Sequence, residues 1–137
     1  RLTSACGSVA GSEAALQVTI GYVREREAFG RPISDFQNTR FKLAEMRTQI
    51  DVAQVFVDRC VMDHNQKKLS PEVAAEAKLF TTELLGKVVD EGVQLHGGWG
   101  YMWEYPICKM YANARIQRIF AGTSEIMKEI ISRGMKL

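Results

Sequence analysis

The chain has 137 residues, 46% apolar and 25% charged, with a formal net charge of +2. That is enough chain to bury one hydrophobic core, with the composition of a soluble globular domain. Lys and Arg are spread along the chain, which argues against a nucleic-acid footprint. No apolar run approaches the ~18 residues of a membrane span, and no signal peptide is evident. Cys6, Cys60 and Cys108 are odd in number and widely spaced. They form neither a disulfide framework nor a Cys-x-x-Cys metal site, which points to a reducing compartment. With His64 and His96 also far apart, no metal site is expected.

Prolines occur only at 32, 71 and 106, leaving long proline-free stretches that favour an all-α chain. The first helix is predicted from Ser4 or Gly11 to about Arg26. Small residues come first, then Leu16, Ile20 and Val23 at helical spacing, and Gly30-Arg31-Pro32 ends it. Asp35 is placed to cap a second helix running to about His64. Its positions Leu43, Met46, Ile50, Ala53, Val57 and Cys60 make an amphipathic stripe, and 28 residues at ~1.5 Å each give a rod of about 42 Å. Ser70-Pro71-Glu72 supplies an N-cap, a proline at the first helical position and an acid in the first turn. The third helix then runs to about Leu95, with Ala77, Phe80, Leu84, Val88 and Val89 inward. A short helical piece is expected at 106–114. A last helix starts near Thr123 or Ser124, with Ile126, Ile130 and Ile131 as its buried face. No alternating strand pattern is visible. Three long helices, a fourth of about 12 residues and short connections predict an all-α, antiparallel four-helix bundle.

Helical periodicity stops at Val93-Gln94-Leu95-His96-Gly97-Gly98-Trp99-Gly100-Tyr101-Met102-Trp103-Glu104-Tyr105-Pro106. Glycines in a helix interior each cost roughly 1 kcal/mol against Ala. They are used where backbone must approach something closely, and the aromatics around them suggest a large flat ligand. A helix C-cap followed by a turn is an equally good local reading.

The same stretch resembles the flavin-contacting loop of the acyl-CoA dehydrogenase family. Two further blocks agree with it, in family order and spacing. Arg26-Glu27-Ala28-Phe29-Gly30-Arg31-Pro32-Ile33-Ser34-Asp35-Phe36-Gln37 resembles the family's Arg-x-x-Phe-Gly-x-x-Ile-x-x-x-Gln block. Ile119-Phe120-Ala121-Gly122-Thr123-Ser124-Glu125-Ile126 resembles its Ile-Tyr-x-Gly-Thr-Ser/Asn-Glu/Gln-Ile block. The Trp-Gly-Tyr-Met-Trp-Glu-Tyr-Pro wording is similar to long-chain members. The resemblance implies the family's C-terminal helical domain, with an N-terminal helical and a middle β-domain lying outside residues 1–137. It also implies FAD as cofactor and an acyl-CoA thioester as substrate, oxidised to the trans-2-enoyl-CoA in fatty-acid β-oxidation.

By the same resemblance, Arg26 reaches the flavin pyrophosphate of a neighbouring subunit, a task suited to the guanidinium's fixed donor fork. Without the motif it reads as one charge in the solvated run Arg24-Glu25-Arg26-Glu27. Phe29 is implied near the adenine and Gln37 in a contact across the dimer; alone they read as core and surface. Gln94, Gly97 and Gly98 are implied at the adenosine end. Thr123 and Glu125 follow the Gly-Thr turn, where a helix N-terminus offers free N–H groups. A carboxylate repels phosphate, so Glu125 either contacts neutral cofactor atoms or caps the helix.

Many family members carry the catalytic glutamate directly before the Gly-Thr pair. Here that position is Ala121, which cannot take a proton. Long-chain and isovaleryl members place a small residue there and draw their base from a glutamate directly before an Arg-Leu pair. This chain opens Arg1-Leu2, so the base is expected immediately upstream, with Arg1, Ala121 and Gly122 at the substrate and the Ala121 N–H near the thioester oxygen. The alternatives are a base-less flavin-binding or assembly subunit, or an acyl-CoA oxidase. The resemblance further implies electron-transfer flavoprotein as acceptor, a homodimer or homotetramer, and a bacterial cytoplasmic or mitochondrial matrix location. The isolated domain is expected to self-associate, to retain little FAD and not to turn over.

Overall fold

The computed structural model describes residues 1–136. Five α-helices dominate it: Leu2–Glu25 (α1), Gln37–Asn65 (α2), Pro71–His96 (α3), Pro106–Gln117 (α4) and Ser124–Gly134 (α5). The expected all-α bundle is present, with five helices rather than four, because the short piece predicted at 106–114 runs a full 12 residues. Among the described residues, no helix is long and apolar enough to cross a membrane.

Local chemistry explains most of the boundaries. The Ser70 hydroxyl accepts from the Val73 N–H at 3.2 Å, and Pro71 occupies the first turn, where its missing donor costs nothing. The Thr123 hydroxyl does the same for α5, accepting from the Ile126 N–H at 3.3 Å. Asp35, expected to cap α2, does not. It lies in a 3-10 turn, Ile33–Asp35, and the N-cap residue of α2 is Phe36, which makes no side-chain cap bond. α1 begins at Leu2, earlier than expected, since no proline interrupts its start and the alanines there favour helix. It ends at Glu25, and Glu27–Ala28 (β1) pairs antiparallel with Arg31–Pro32 (β2) in a two-residue hairpin that alternation could not reveal.

α3 is the centre of the bundle and packs against all four other helices. It meets α1 along a seam of small side chains, with Ala5, Ser8, Ser12, Ala15 and Thr19 all buried. The buried hydroxyls of Ser12 and Thr19 donate to the carbonyls of Ser8 and Ala15, both at 2.8 Å, so they cost little where they lie. On the facing side, a Cβ on Gly92 would lie 2.7 Å from Ile107 Cδ1 and 2.9 Å from Thr19 Oγ1. The predicted α2 stripe is buried from Met46 to Cys60, with Leu43 at its partly covered end.

Two inward predictions fail. Phe80 is 44% exposed, because it falls on the solvent stripe of α3 with Glu76, Lys87, Asp90 and Gln94. Ile126 is 51% exposed and Ile130 and Ile131 are half-buried; α5 buries Met127 and Ser124 instead. A hydrogen bond fixes that rotation, since the Ser124 hydroxyl donates to Glu83 Oε1 at 2.7 Å.

The close approach at Gly92 is testable. Gly92→Val is expected to lower unfolding stability by about 1–3 kcal/mol, as overpacked cores do. An unchanged urea midpoint would show that the junction has slack.

Candidate functional site

The site begins where α3 stops. Gly97 takes φ +61, a conformation that suits glycine, and the 3-10 turn Gly97–Tyr101 folds back on the helix end. Gly100 is glycine for a packing reason: its Cβ would meet the Val93 carbonyl oxygen at 2.6 Å and His96 Cβ at 2.8 Å. His96 is 4% exposed and stacks on Tyr22 with ring centroids 4.0 Å apart. Its Nδ1 lies 2.7 Å from the Gly92 carbonyl oxygen, and the Tyr22 hydroxyl donates to the His96 carbonyl at 3.1 Å. Tyr105 packs edge-on against both rings. This plug welds the C-terminal ends of α1 and α3 and the start of α4 into one floor.

Above the floor lies a cleft of about 480 Å³, walled by Tyr22, Arg26, Gln94, Gly97, Gly98 and Trp99 among others. It gathers four of the eight residues expected at the cofactor. Gly98 is the informative one. A Cβ there would meet nothing within 4 Å, and its φ is not in the left-handed region. Neither packing nor backbone conformation requires a glycine at that position.

Phe29 and Gln37 do not line this cleft. Phe29 sits at the hairpin tip with φ 54 and 96% exposure, so a bulky ring in a disfavoured backbone conformation is held out into solvent. Its ring meets Phe36 edge-on at 6.3 Å, and the Arg31 guanidinium lies 4.1 Å over the Phe36 ring, which stiffens the hairpin base. Gln37 is the exposed first residue of α2.

A second locus is the turn between α4 and α5. Ala121 and Gly122 both take positive φ, 55 and 104. At Gly122 the φ of +104 strains any residue with a Cβ, and that Cβ would also displace the Met127 methyl, 2.6 Å away. The Ser124 N–H donates to the Arg118 carbonyl at 3.1 Å and closes the loop. Among the described residues, the N–H groups of Ala121, Gly122 and Thr123 donate to no protein acceptor. Thr123 caps α5, and the Glu125 carboxyl is held below its ordinary range by its own backbone N–H and then by Thr123. Both therefore have capping work whatever else they contact. Arg1 lines a different cavity, of about 800 Å³, with Thr3, Cys6, His64 and Ser70 on its wall. The structure does not bring Arg1 and the Ala121–Gly122 turn into one pocket.

Sequence reasoning missed the groups beneath this turn. Lys78, fully buried, donates to the Gly122 carbonyl oxygen. Burial depresses its ammonium pKa, and Glu83 opposes that effect. Glu83 accepts from Arg118 Nη1 at 3.1 Å and from the Ser124 hydroxyl. The signal was a lysine at 78, next to the inward position Ala77 on α3.

Residues 1–136 match the family model for the acyl-CoA dehydrogenase C-terminal domain. The chain is 47% identical over 133 residues to the mitochondrial long-chain specific acyl-CoA dehydrogenase of Sus scrofa, covering 97% of this chain and 31% of that protein. The crystal structure of an acyl-CoA dehydrogenase from Geobacillus kaustophilus superposes with a TM-score of 0.98 at 41% identity, over 100% of this chain and 36% of that one. A Mycobacterium smegmatis glutaryl-CoA dehydrogenase in complex with FADH2 superposes with a TM-score of 0.94 at 25% identity, over 98% and 35%. The chain belongs to the acyl-CoA dehydrogenase family and has the fold of its C-terminal helical domain. It spans about a third of the length of these relatives.

The floor of the cleft carries a pH signature. Burial pushes the His96 pKa below its ordinary 6.5, and the hydrogen bond to Gly92 only partly opposes this. An unfolded chain therefore binds the His96 proton first on acidification, and stability falls as pH drops through about 6.5 until the folded imidazole also titrates. The urea midpoint is expected to fall between pH 7.5 and pH 5.5, with a shallower fall in His96→Gln. Equal slopes in the two proteins would place the effect elsewhere.

Proposed function

We propose that this chain supplies the flavin-facing helical domain of an FAD-dependent acyl-CoA dehydrogenase acting on long-chain acyl-CoA in fatty-acid β-oxidation. The observation that carries the reading is the cleft at the end of α3, where Arg26, Gln94, Gly97 and Gly98 converge and Gly98 has no structural reason to be glycine. A bare backbone, a side-chain amide and a guanidinium form a donor set that fits the adenosine and pyrophosphate of a dinucleotide. Bound there, FAD would supply the hydride acceptor of the reaction.

What the chain's own residues do follows from their chemistry. Arg26 pairs with the pyrophosphate of a neighbouring subunit's flavin, and Gln94 contacts the adenosine end. Phe29 and Gln37 stand outside the cleft on exposed positions, which suits contact with a cofactor held by a second subunit of a homodimer or homotetramer. Thr123 and Glu125 contact the cofactor as well as capping α5. Ala121 presents a free N–H rather than a carboxylate, and we assign it to the thioester oxygen, where developing negative charge is best met by a fixed donor. The Ala121 methyl cannot accept a proton, and we assign the α-proton to a carboxylate immediately upstream of Arg1, the position that the Arg1-Leu2 pair implies. Electron-transfer flavoprotein is the proposed acceptor, with acyl-CoA oxidase chemistry as the variant in which oxygen takes that role. The specific observation favouring a second reading, a base-less flavin-binding subunit, is Ala121 itself.

Two experiments on the full-length protein test this. Anaerobic addition of acyl-CoAs of graded length is expected to bleach the flavin, most strongly with long chains. A yellow protein that never bleaches would establish the base-less reading, and a colourless one would sink both. Gly98→Ala is expected to leave stability within about 0.5 kcal/mol, as at open surface positions, while reducing retained FAD several-fold. Gly100→Ala is expected to do the reverse, losing about 1–3 kcal/mol by steric overlap with backbone. Retention of FAD by Gly98→Ala at the parent level would remove the cleft from the cofactor site.

A further inference from the structure

We propose that Lys78 is a positioning residue for the Ala121–Gly122 turn, and through it sets the direction of the Ala121 N–H toward the acyl thioester. The inference rests on the assignment of Ala121 made above, and begins from a cost that the fold alone does not explain. Lys78 is completely buried, and lysine is almost never found so unless it is held by partners. Desolvation disfavours its charged form. A methionine or leucine would fill the same space between α3 and α5 without that penalty. What lysine adds is one donor, aimed at the Gly122 carbonyl oxygen.

That carbonyl belongs to a strained segment. Ala121 is held at φ 55, a region that residues with a Cβ avoid, and Gly122 follows at φ 104. Two successive left-handed residues persist only where the surroundings fix both ends. On one side Glu83 accepts from the Arg118 guanidinium, and the Arg118 carbonyl accepts from the Ser124 N–H. On the other Lys78 grips Gly122. Ala121 lies between the two fixed points, and both anchors rise from α3, at positions 78 and 83. Its N–H makes no intrachain bond among the described residues. Without Lys78, the peptide after Gly122 is free to rotate toward a relaxed turn and carry the Ala121 donor with it.

The test uses the full-length flavoprotein with Lys78→Met, which keeps an unbranched apolar stem and removes the terminal ammonium, and with it both charge and donor. Three quantities are read: hydrogen exchange of the peptide spanning 119–125, the carbonyl stretch of a bound acyl-CoA labelled with carbon-13 at C1, and the rate of anaerobic flavin bleaching. The expected result is faster exchange confined to that peptide and a carbonyl stretch shifted back toward its value in water. Bleaching is expected to slow by about tenfold or more, on the scale of a misplaced oxyanion donor, with retained FAD and acyl-CoA affinity within about twofold of the parent. A merely structural role would lower stability without moving the carbonyl stretch. Unchanged exchange at 119–125, or an unchanged stretch despite faster exchange, overturns the proposal. If Lys78→Met does not fold, Lys78→Gln, polar but too short to reach Gly122, is read in the same way. A parent protein that never bleaches would sink the functional reading instead, and exchange at 119–125 would then decide whether Lys78 holds the turn.

Discussion

Everything in this domain hangs on α3, and on the fact that one helix must be apolar on most of its circumference yet carry two charges beneath the turn between α4 and α5. All four other helices lie against it. At its C-terminal end, Gly97 releases the chain into the cleft floor, and His96 locks that floor by stacking on Tyr22. Toward its N-terminal half, Lys78 and Glu83 fasten the turn between α4 and α5. Both candidate loci are thus built on one rigid rod, which fixes their separation as no loop could.

The glycines separate structure from function. Gly92 and Gly100 sit where a Cβ would come within 2.7 Å of a neighbour, and Gly122 holds a φ of +104, so the bundle itself calls for them. Gly98 faces open space with an unstrained backbone. A glycine that the fold does not use stands there beside an arginine and an amide in one cleft, and the proposed cofactor contact accounts for it. The same logic applies in reverse to Phe29, whose strained backbone and nearly full exposure are set against a single edge-on contact with Phe36.

Where periodicity met a simple two-sided environment, it read true. The α2 stripe from Met46 to Cys60 is buried as its spacing required, and the Ser70 and Thr123 caps form because their chemistry involves residues only three apart. Periodicity failed where more than one partner surrounds a helix. α3 buries two adjoining faces, so Phe80, three residues from buried Ala77, still falls on the narrow solvent strip. The isoleucines of α5 suggested one face, but the Ser124–Glu83 hydrogen bond turns Met127 inward and leaves Ile126 out. Asp35 failed as a cap because it lies in the 3-10 turn ahead of α2, which moves the N-cap one residue on to Phe36.

By itself, the sequence determined the all-α class, the helix starts at Pro71 and Ser124, the α2 core stripe and, through three motif blocks in register, the family. These are properties of neighbours along the chain, set by capping, helical period and backbone conformation. Only the tertiary structure decided that Arg26, Gln94, Gly97 and Gly98 share a cleft, that Gly98 is free of packing demands, and that a buried lysine 44 residues away holds the Ala121–Gly122 turn. Those are through-space facts, and a chain written in one dimension carries no local signal for which helix faces will meet.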